Sequence, residues 1–275
     1  MTNAPAVTVL LGVWNPNRDY VELAIRSVLA QTFRDFELLI VEDPSPHSIA
    51  DLVTAIEDPR IRLLQRPQRG TLGAALNAGL AVARAELVAR IDADDVALPE
   101  RLARQVAFLN ANPDVTVYGS RITVIDDRGR SVGRRLLPLA HDDIVAALRR
   151  YNCISHPSVM YRKSAVLSLG GYDETRVAED YDLWCRMVLA GMRFRNAYED
   201  FVQHRFHQEA AKYREVHDAI RVTIDIKKRY FRGRFTWGDR LRLLAEQTLL
   251  RLPAPLIIGL FRLLEYRKRP SRPAT

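Results

Sequence analysis

Leu87-Val88-Ala89-Arg90-Ile91-Asp92-Ala93-Asp94-Asp95 is a short apolar run that ends in three carboxylates within four residues. Its length and continuity fit a buried strand, and the acidic tetrad reads as the turn that closes it. The same pattern recurs toward the N-terminus. Val7 to Val13 stops at Trp14-Asn15-Pro16-Asn17, Phe36 to Val41 stops at Glu42-Asp43-Pro44-Ser45-Pro46, and Ile61 to Leu64 is a further strand. Helical stretches separate them. One opens with an Asp19 and Glu22 capping box and is expected to bury Leu23, Ile25, Val28 and Leu29; a second is capped by Ser48 with Asp51; a third is the alanine-rich Thr71 to Arg84. This alternation predicts an α/β fold built on a mostly parallel, doubly wound sheet. Such sheets bind ligands at the carboxyl ends of their strands. Trp14, Glu42, Asp43 and the aspartate cluster all fall there.

Beyond Pro99 a helix is expected to run to Asn112. Val115 to Ile125 then supplies one or two strands closed by Asp126-Asp127-Arg128-Gly129. His156 to Tyr161 reads as a strand, Ala178 to Ala190 as a helix opening with Glu179-Asp180, and Arg193 to Phe206 as a strand with a polar interruption. After His207 the composition shifts to long helical patterns dense in arginine and leucine. The expected organisation is therefore a domain over residues 1–207, divided into halves 1–112 and 113–207, followed by a basic amphipathic helical extension over 208–275.

Composition narrows the classes. The 275 residues suffice for a substantial core, and 48% hydrophobic with 27% charged residues is ordinary for a folded protein. Cys153 and Cys185 lack metal-ligand spacing and cannot make a disulfide framework, which fits a reducing compartment. No signal peptide is visible at Met1 to Ala6, and no run reaches the roughly 18 apolar residues of a membrane span. A net charge of +8 implies an anionic partner without choosing among nucleic acid, phosphorylated substrate and acidic lipid.

Asp92, Asp94 and Asp95 repel one another unless a cation or arginines offset them. Magnesium and manganese take oxygen ligands and keep positions for substrate phosphates, so a carboxylate pair on a tight turn suits them; the competing reading is a solvated loop capping the helix near Pro99. Glu42 and Asp43 can accept hydrogen bonds from a base or ribose, or simply cap a helix. Trp14 can stack on a nucleobase or pack in the core. Asp180 at a helix start is either a general base or a plain cap. Arg205 and His207 share one face of a strand, where they can contact phosphates, complete a metal shell, or form a surface pair.

Taken in order, these pieces resemble the family 2 inverting glycosyltransferases of GT-A fold. The resemblance spans Val7 to His207. It includes Ser27-Val28-Leu29-Ala30-Gln31-Thr32-Phe33, Ala75-Leu76-Asn77-Ala78-Gly79-Leu80, Leu98-Pro99-Glu100-Arg101-Leu102, His156-Pro157-Ser158-Val159-Met160, Gly170-Gly171-Tyr172 and Ala178-Glu179-Asp180-Tyr181-Asp182-Leu183-Trp184. It implies a nucleotide-diphospho-sugar donor held with Mg2+ or Mn2+, and a sugar or lipid-linked acceptor. Trp14, Glu42 and Asp43 would border and read the base, and Arg69 would approach the donor from a loop that carries an extra residue. Asp92 would contact ribose or metal, Asp94 would be the main metal ligand, His207 a further ligand, and Asp180 the base for an inverting displacement. Gly12-Val13 and Glu42-Asp43-Pro44-Ser45 depart from the family's usual Pro-Thr or Pro-Val and Asp-Asp-Gly-Ser. The Gln-x-x-Arg-Trp signature of processive synthases is absent, which favours single transfers.

Two other classes compete. A sugar nucleotidyltransferase needs a glycine-rich basic loop after the first strand, and Leu11-Gly12-Val13-Trp14-Asn15 offers none. A nucleic-acid module would need a recognition motif, whereas the basic residues here sit in the amphipathic extension. There Lys227, Arg240, Arg242 and Arg251 alternate with Leu241, Leu244, Leu252 and Leu256, a pattern suited to an anionic membrane surface. The expectation is a cytoplasmic enzyme, peripheral at the inner face of the cell membrane, with no nucleic-acid partner.

Overall fold

The computed structural model describes residues 4–175, 177–206 and 211–257. His207 and the C-terminal stretch from residue 258 lie outside the described residues. Among those described, nine strands form one sheet: β1 (Val7–Val13), β2 (Phe36–Glu42), β3 (Ile61–Gln65), β4 (Leu87–Asp92), β5 (Val96–Ala97), β6 (Val115–Ile125), β7 (Ser131–Arg135), β8 (Met160–Arg162) and β9 (Arg193–Arg205). The order is β3-β2-β1-β4-β8-β6-β9-β5, with β7 paired to β6. The β1–β2, β2–β3, β1–β4 and β6–β9 pairs are parallel, while β8, β5 and β7 run against their neighbours. The expected parallel, helix-flanked section is present in β3-β2-β1-β4, and the antiparallel pairings of β8, β5 and β7 make the whole sheet mixed.

The period of two along each strand divides the core into two layers. Leu87, Ala89 and Ile91 of β4 pack with Val21 and Ile25 of helix α1 (Arg18–Leu29) and with Leu102 and Leu109 of the helix at Arg101–Ala111. Val88 faces the other way, among Leu76, Leu80, Trp184 and Phe194. Counting by twos from Val88 therefore sends Arg90 and Asp92 toward that second layer. Here lie α3 (Leu72–Val82), α5 (His141–Leu148), α6 (Lys163–Ser168) and α7 (Glu179–Leu189), whereas α2 (Ala50–Ile56) and α4 (Arg101–Ala111) join α1 on the first layer. Helix α8 (Ala211–Phe231) contributes Ile226 and Phe231 to the same layer. Gly79 makes the approach of α3 to the sheet possible, because a Cβ there would lie 2.4 Å from Leu10 Cδ1.

Several local expectations are corrected. Helix α1 is capped by Asn17, whose side chain accepts from the Asp19 and Tyr20 amides, rather than by an Asp19–Glu22 box. Leu23 is exposed, since the buried stripe runs through Val21, Ala24, Ile25 and Val28. Asp51 pairs with Arg18 at 2.7 Å instead of capping α2. His156–Ser158 forms a short 3-10 turn before β8, because Pro157 interrupts a strand there. Lys227 is buried against Glu246 at 2.6 Å, so it belongs to the packing of α8 on α9 (Trp237–Leu249) and leaves the basic outer face.

Candidate active site

The strand ends place the predicted residues beside one another, Val13 opposite Glu42 and Gly12 opposite Asp92. The acidic turn is braced from below. Gln31, just past the end of α1, donates to Leu98 O at 2.8 Å and accepts from Leu102 N at 2.9 Å, tying the start of α4 to α1. Arg205 is buried rather than on the surface. Its Nε donates to Asp94 O at 3.0 Å, its Nη1 donates to Asp126 O at 3.0 Å, and its guanidinium lies 4.2 Å from the Tyr20 ring centroid. Asp95 is fully enclosed, accepts from Arg205 N at 2.8 Å and meets His204 Nδ1 at 3.1 Å. Burial raises the Asp95 pKa, and the charges of Asp92 and Asp94 add to that against the pull of His204. His204 is pulled down by burial, but Asp95 outweighs this and holds its pKa above the ordinary value.

A cavity of about 620 Å3 opens above this turn, lined among others by Gly12, Trp14, Tyr20, Asp92 and Asp94. A second, of about 350 Å3, is lined by Arg90, Asp92, Asn152, His156, Glu179 and Asp180 among others. Asp92 is a wall of both. Arg90 forms the floor of the second. It is 2% exposed, pairs with Asp92, and its Nε and Nη1 have no hydrogen-bond partner among the described residues. Burial opposes its charge, but Asp92 more than compensates, so the guanidinium stays ionised.

Glu179 and Asp180 open α7 immediately after Ala178, which adopts a left-handed conformation at φ 63°. Asp180 Oδ2 accepts from Asn152 Nδ2 at 2.7 Å, and Oδ1 from the Tyr181 amide at 2.7 Å. Burial pushes both carboxyls upward in pKa, and the charge of Asp180 adds to the effect on Glu179. His156 is held neutral by burial and by the nearby Arg90 charge, and its Nε2 meets Tyr172 Oη at 3.0 Å. The loop before Ala178 is clipped to α3 by Asn77, which donates to Tyr172 O at 2.9 Å and accepts from Tyr172 N at 2.8 Å. Gly171 has φ +79°, and a Cβ there would meet Asn77 Oδ1 at 2.5 Å, so both glycine and asparagine are needed for that clip.

The remaining sequence candidates sit around the rim. Trp14 is 48% exposed with the Arg69 guanidinium 3.5 Å from its ring centroid. Asp43 is buried, bonded to Arg66 Nη1 at 2.7 Å and Gly70 N at 2.8 Å. Glu42 accepts from Ser48 Oγ, Ile49 N and Gln65 Nε2, which shapes the loop instead of opening onto the large cavity. The expected metal set was Asp92, Asp94 and His207. Among the described residues, Asp92, Asp95 and His204 bring ligand atoms within 4.8 Å of one another, while Asp94 lines the large cavity beside Asp92. Carboxylates with one imidazole suit a hard or borderline divalent cation, so the residues present fit Mg2+ or Mn2+. Sequence reading missed Arg90, Asn152, His156 and His204. An arginine inside an otherwise apolar strand was the available signal for Arg90.

An acidic turn thus closes a central parallel strand, and a second acidic pair lies across a shared cavity wall. The sequence model of glycosyl transferase family 2 matches residues 8–170. The putative glycosyltransferase EpsE of Bacillus subtilis (strain 168) is 35% identical over 220 residues, covering 78% of this chain and 78% of that protein. The Escherichia coli UDP-Gal:alpha-D-GlcNAc-diphosphoundecaprenol beta-1,3-galactosyltransferase is 26% identical over 217 residues, covering 77% of this chain and 78% of that one. In structure, the mannosyltransferase PcManGT from Pyrobaculum calidifontis, solved with GDP-Man and Mn2+, superposes with a TM-score of 0.63 at 17% identity, covering 94% of this chain and 73% of that one. The chain belongs to glycosyl transferase family 2.

Proposed function

We propose that this glycosyltransferase takes a sugar from a nucleoside-diphosphate donor in the larger cavity and transfers it, with inversion, to an acceptor hydroxyl in the smaller one. The observation that carries the reading is the shared wall: Asp92 lines both cavities and Asp180 lines the smaller, which supports a donor bound with its anomeric carbon toward Asp180. A divalent cation such as Mg2+ or Mn2+, when bound, supplies the charge that stabilises the departing diphosphate. Asp92 and Asp94 would hold it, with His204 or His207 as a nitrogen ligand. Trp14, with Arg69 stacked on it, borders the base, and Asp43 with Glu42 sets the loop that frames it. As the acceptor oxygen bonds to the anomeric carbon, the bond from that carbon to the diphosphate oxygen breaks and its electron pair leaves with the diphosphate. The acceptor proton passes to Asp180, which Asn152 keeps oriented. Arg90 fixes Asp92 and offsets the negative charge gathered around it.

A lipid-linked acceptor is favoured by the C-terminal helices. Trp237, Leu241 and Leu244 are exposed on α9, and Leu256 follows them, with Arg240 and Arg251 exposed alongside. None of the described helices is long and apolar enough to cross a membrane, so this face would lie on an anionic lipid surface. The diphosphoundecaprenol acceptor in the name of the Escherichia coli relative supports the same acceptor class.

The test is a thermal-shift screen of UDP-, GDP- and dTDP-sugars with and without Mn2+. One donor should stabilise the wild type only with Mn2+, and Asp94→Ala should abolish that shift. Asp180→Ala should keep the shift and lose transfer. Undiminished turnover in Asp180→Ala would remove that residue from the chemistry.

A further inference from the structure

Arg135, the last residue of β7, lines the smaller cavity together with Asp180. Its guanidinium has no hydrogen bond and no ion pair among the described residues, although its neighbours do: Arg134 pairs with Asp200 at 2.8 Å, and Arg150 with Asp239 at 2.7 Å. A half-buried cation left uncompensated is a cost that a bound anion removes. Tyr151 directly precedes Asn152, which lines the same cavity, and the Arg242 guanidinium stands 5.5 Å from the Tyr151 ring centroid. Arg242 belongs to α9, where its Nε donates to Glu246 Oε1 at 3.2 Å and leaves the outer nitrogens of the fork for a ligand, and its neighbours Leu241 and Leu244 form the exposed apolar stripe of that helix. Arg135, Tyr151 and Arg242 thus lead from the chamber of the catalytic carboxylate to the apolar surface.

We propose that Arg135 and Arg242 form a docking site for an oxyanion carried by the acceptor, the phosphate or diphosphate ester that joins its sugar to a lipid. The proposal rests on the smaller cavity being the acceptor site. Two guanidinium forks from different elements suit a multiply charged phosphate ester, whose several oxygens accept from both. With the ester held between them, the sugar enters the cavity toward Asp180 and the lipid passes along α9. The site then selects acceptors by charge and sets how far the accepting hydroxyl reaches.

The experiment titrates the full chain in EDTA, which silences the acidic turn, with farnesyl diphosphate, farnesol and inorganic pyrophosphate. Wild type should bind farnesyl diphosphate about tenfold more tightly than farnesol or pyrophosphate. Arg135→Ala and Arg242→Ala should each weaken it about three- to tenfold, in line with a partly exposed charge-assisted pair. Arg135→Lys should retain part of the affinity, and melting curves confirm that each variant is folded. Equal binding of farnesol and farnesyl diphosphate, or wild-type affinity in folded Arg135→Ala, overturns the site. Pyrophosphate binding as tightly as the lipid diphosphate overturns its assignment to a lipid-borne ester. Donor binding in Mn2+ is measured separately on the same variants and should not change; its absence in the wild type would refute the proposed function while leaving the lipid titration to decide the docking site.

Discussion

Replacing Asp95 tests how the acidic turn is built. Its side chain is fully enclosed, with one oxygen accepting from Arg205 N at 2.8 Å and the other meeting His204 Nδ1 at 3.1 Å. Arg205 in turn carries the Asp94 carbonyl at 3.0 Å. Asp95→Ala removes the acceptor of a buried amide and the buried carboxylate partner of a half-buried imidazole. Breaking such a pair by removing one member costs about 3–5 kcal/mol, because the other is left uncompensated. For a chain of this size each kcal/mol lowers the melting temperature by roughly 2–4 °C, so a loss of about 6–20 °C is expected. Asp95→Asn keeps one carbonyl acceptor and should lose only about 1–3 kcal/mol. The assay is thermal and urea unfolding of wild type, Asp95→Ala and Asp95→Asn, followed by Mn2+-dependent donor binding at a temperature where all three are folded. Asp95→Ala should bind donor more weakly although Asp92 and Asp94 remain. A melting temperature and donor affinity equal to wild type would refute the bracing role.

Three further outcomes follow from the same geometry. Asn152 stabilises the ionised form of Asp180, so Asn152→Ala should move the acid limb of the transfer pH profile upward by about one pH unit, and an unmoved limb would contradict that contact. Glu179 binds its proton more tightly in the folded chain than in the unfolded one, so its ionisation costs stability as pH rises through the raised folded value. Glu179→Gln should therefore melt higher than wild type at pH 8 and no higher at pH 4. Asp239 behaves in the opposite sense: burial works against it, but bonding to Arg150 and Thr236 depresses it to about 2, so its contribution is present above the ordinary carboxylate range and is lost as pH falls toward that value. Asp239→Asn should destabilise the protein at pH 7 and do so far less near pH 2, where the carboxyl is half protonated.

The strands and the acidic turn were legible because burial and period leave a strong trace: β1, β2 and β4 differ from the expected ranges by one residue at most. Asp180 and Glu179 were legible as a helix opening, and the structure sets them on the cavity that Asp92 shares. What escaped reading depends on long-range contact. Asn152 lies in an irregular stretch with no period to mark it, yet it is the side chain bonded to Asp180. His204 looked like one more polar residue on a strand, and only the crossing of β9 beside the acidic turn pairs it with Asp95. Glu42 looked like a ligand for the base because it ends a buried strand, whereas its oxygens are engaged by Ser48, Ile49 and Gln65. Lys227 was assigned to a basic outer face by composition, and helix packing turned it inward. Local propensity also missed the cap of α1, since Asn17 and Asp19 are both acceptable caps and only the backbone entry chooses between them.

The most direct test of the central claim is the electron paramagnetic resonance signal of free Mn2+ during titration with protein in the presence of the nucleoside diphosphate that the donor screen selects. Wild type should remove the free-ion signal only when the nucleotide is present, and Asp94→Ala should leave that signal in place. A nucleotide that binds wild type and Asp94→Ala equally well, with the free-ion signal untouched in both, would contradict a metal-bridged diphosphate at the end of β4.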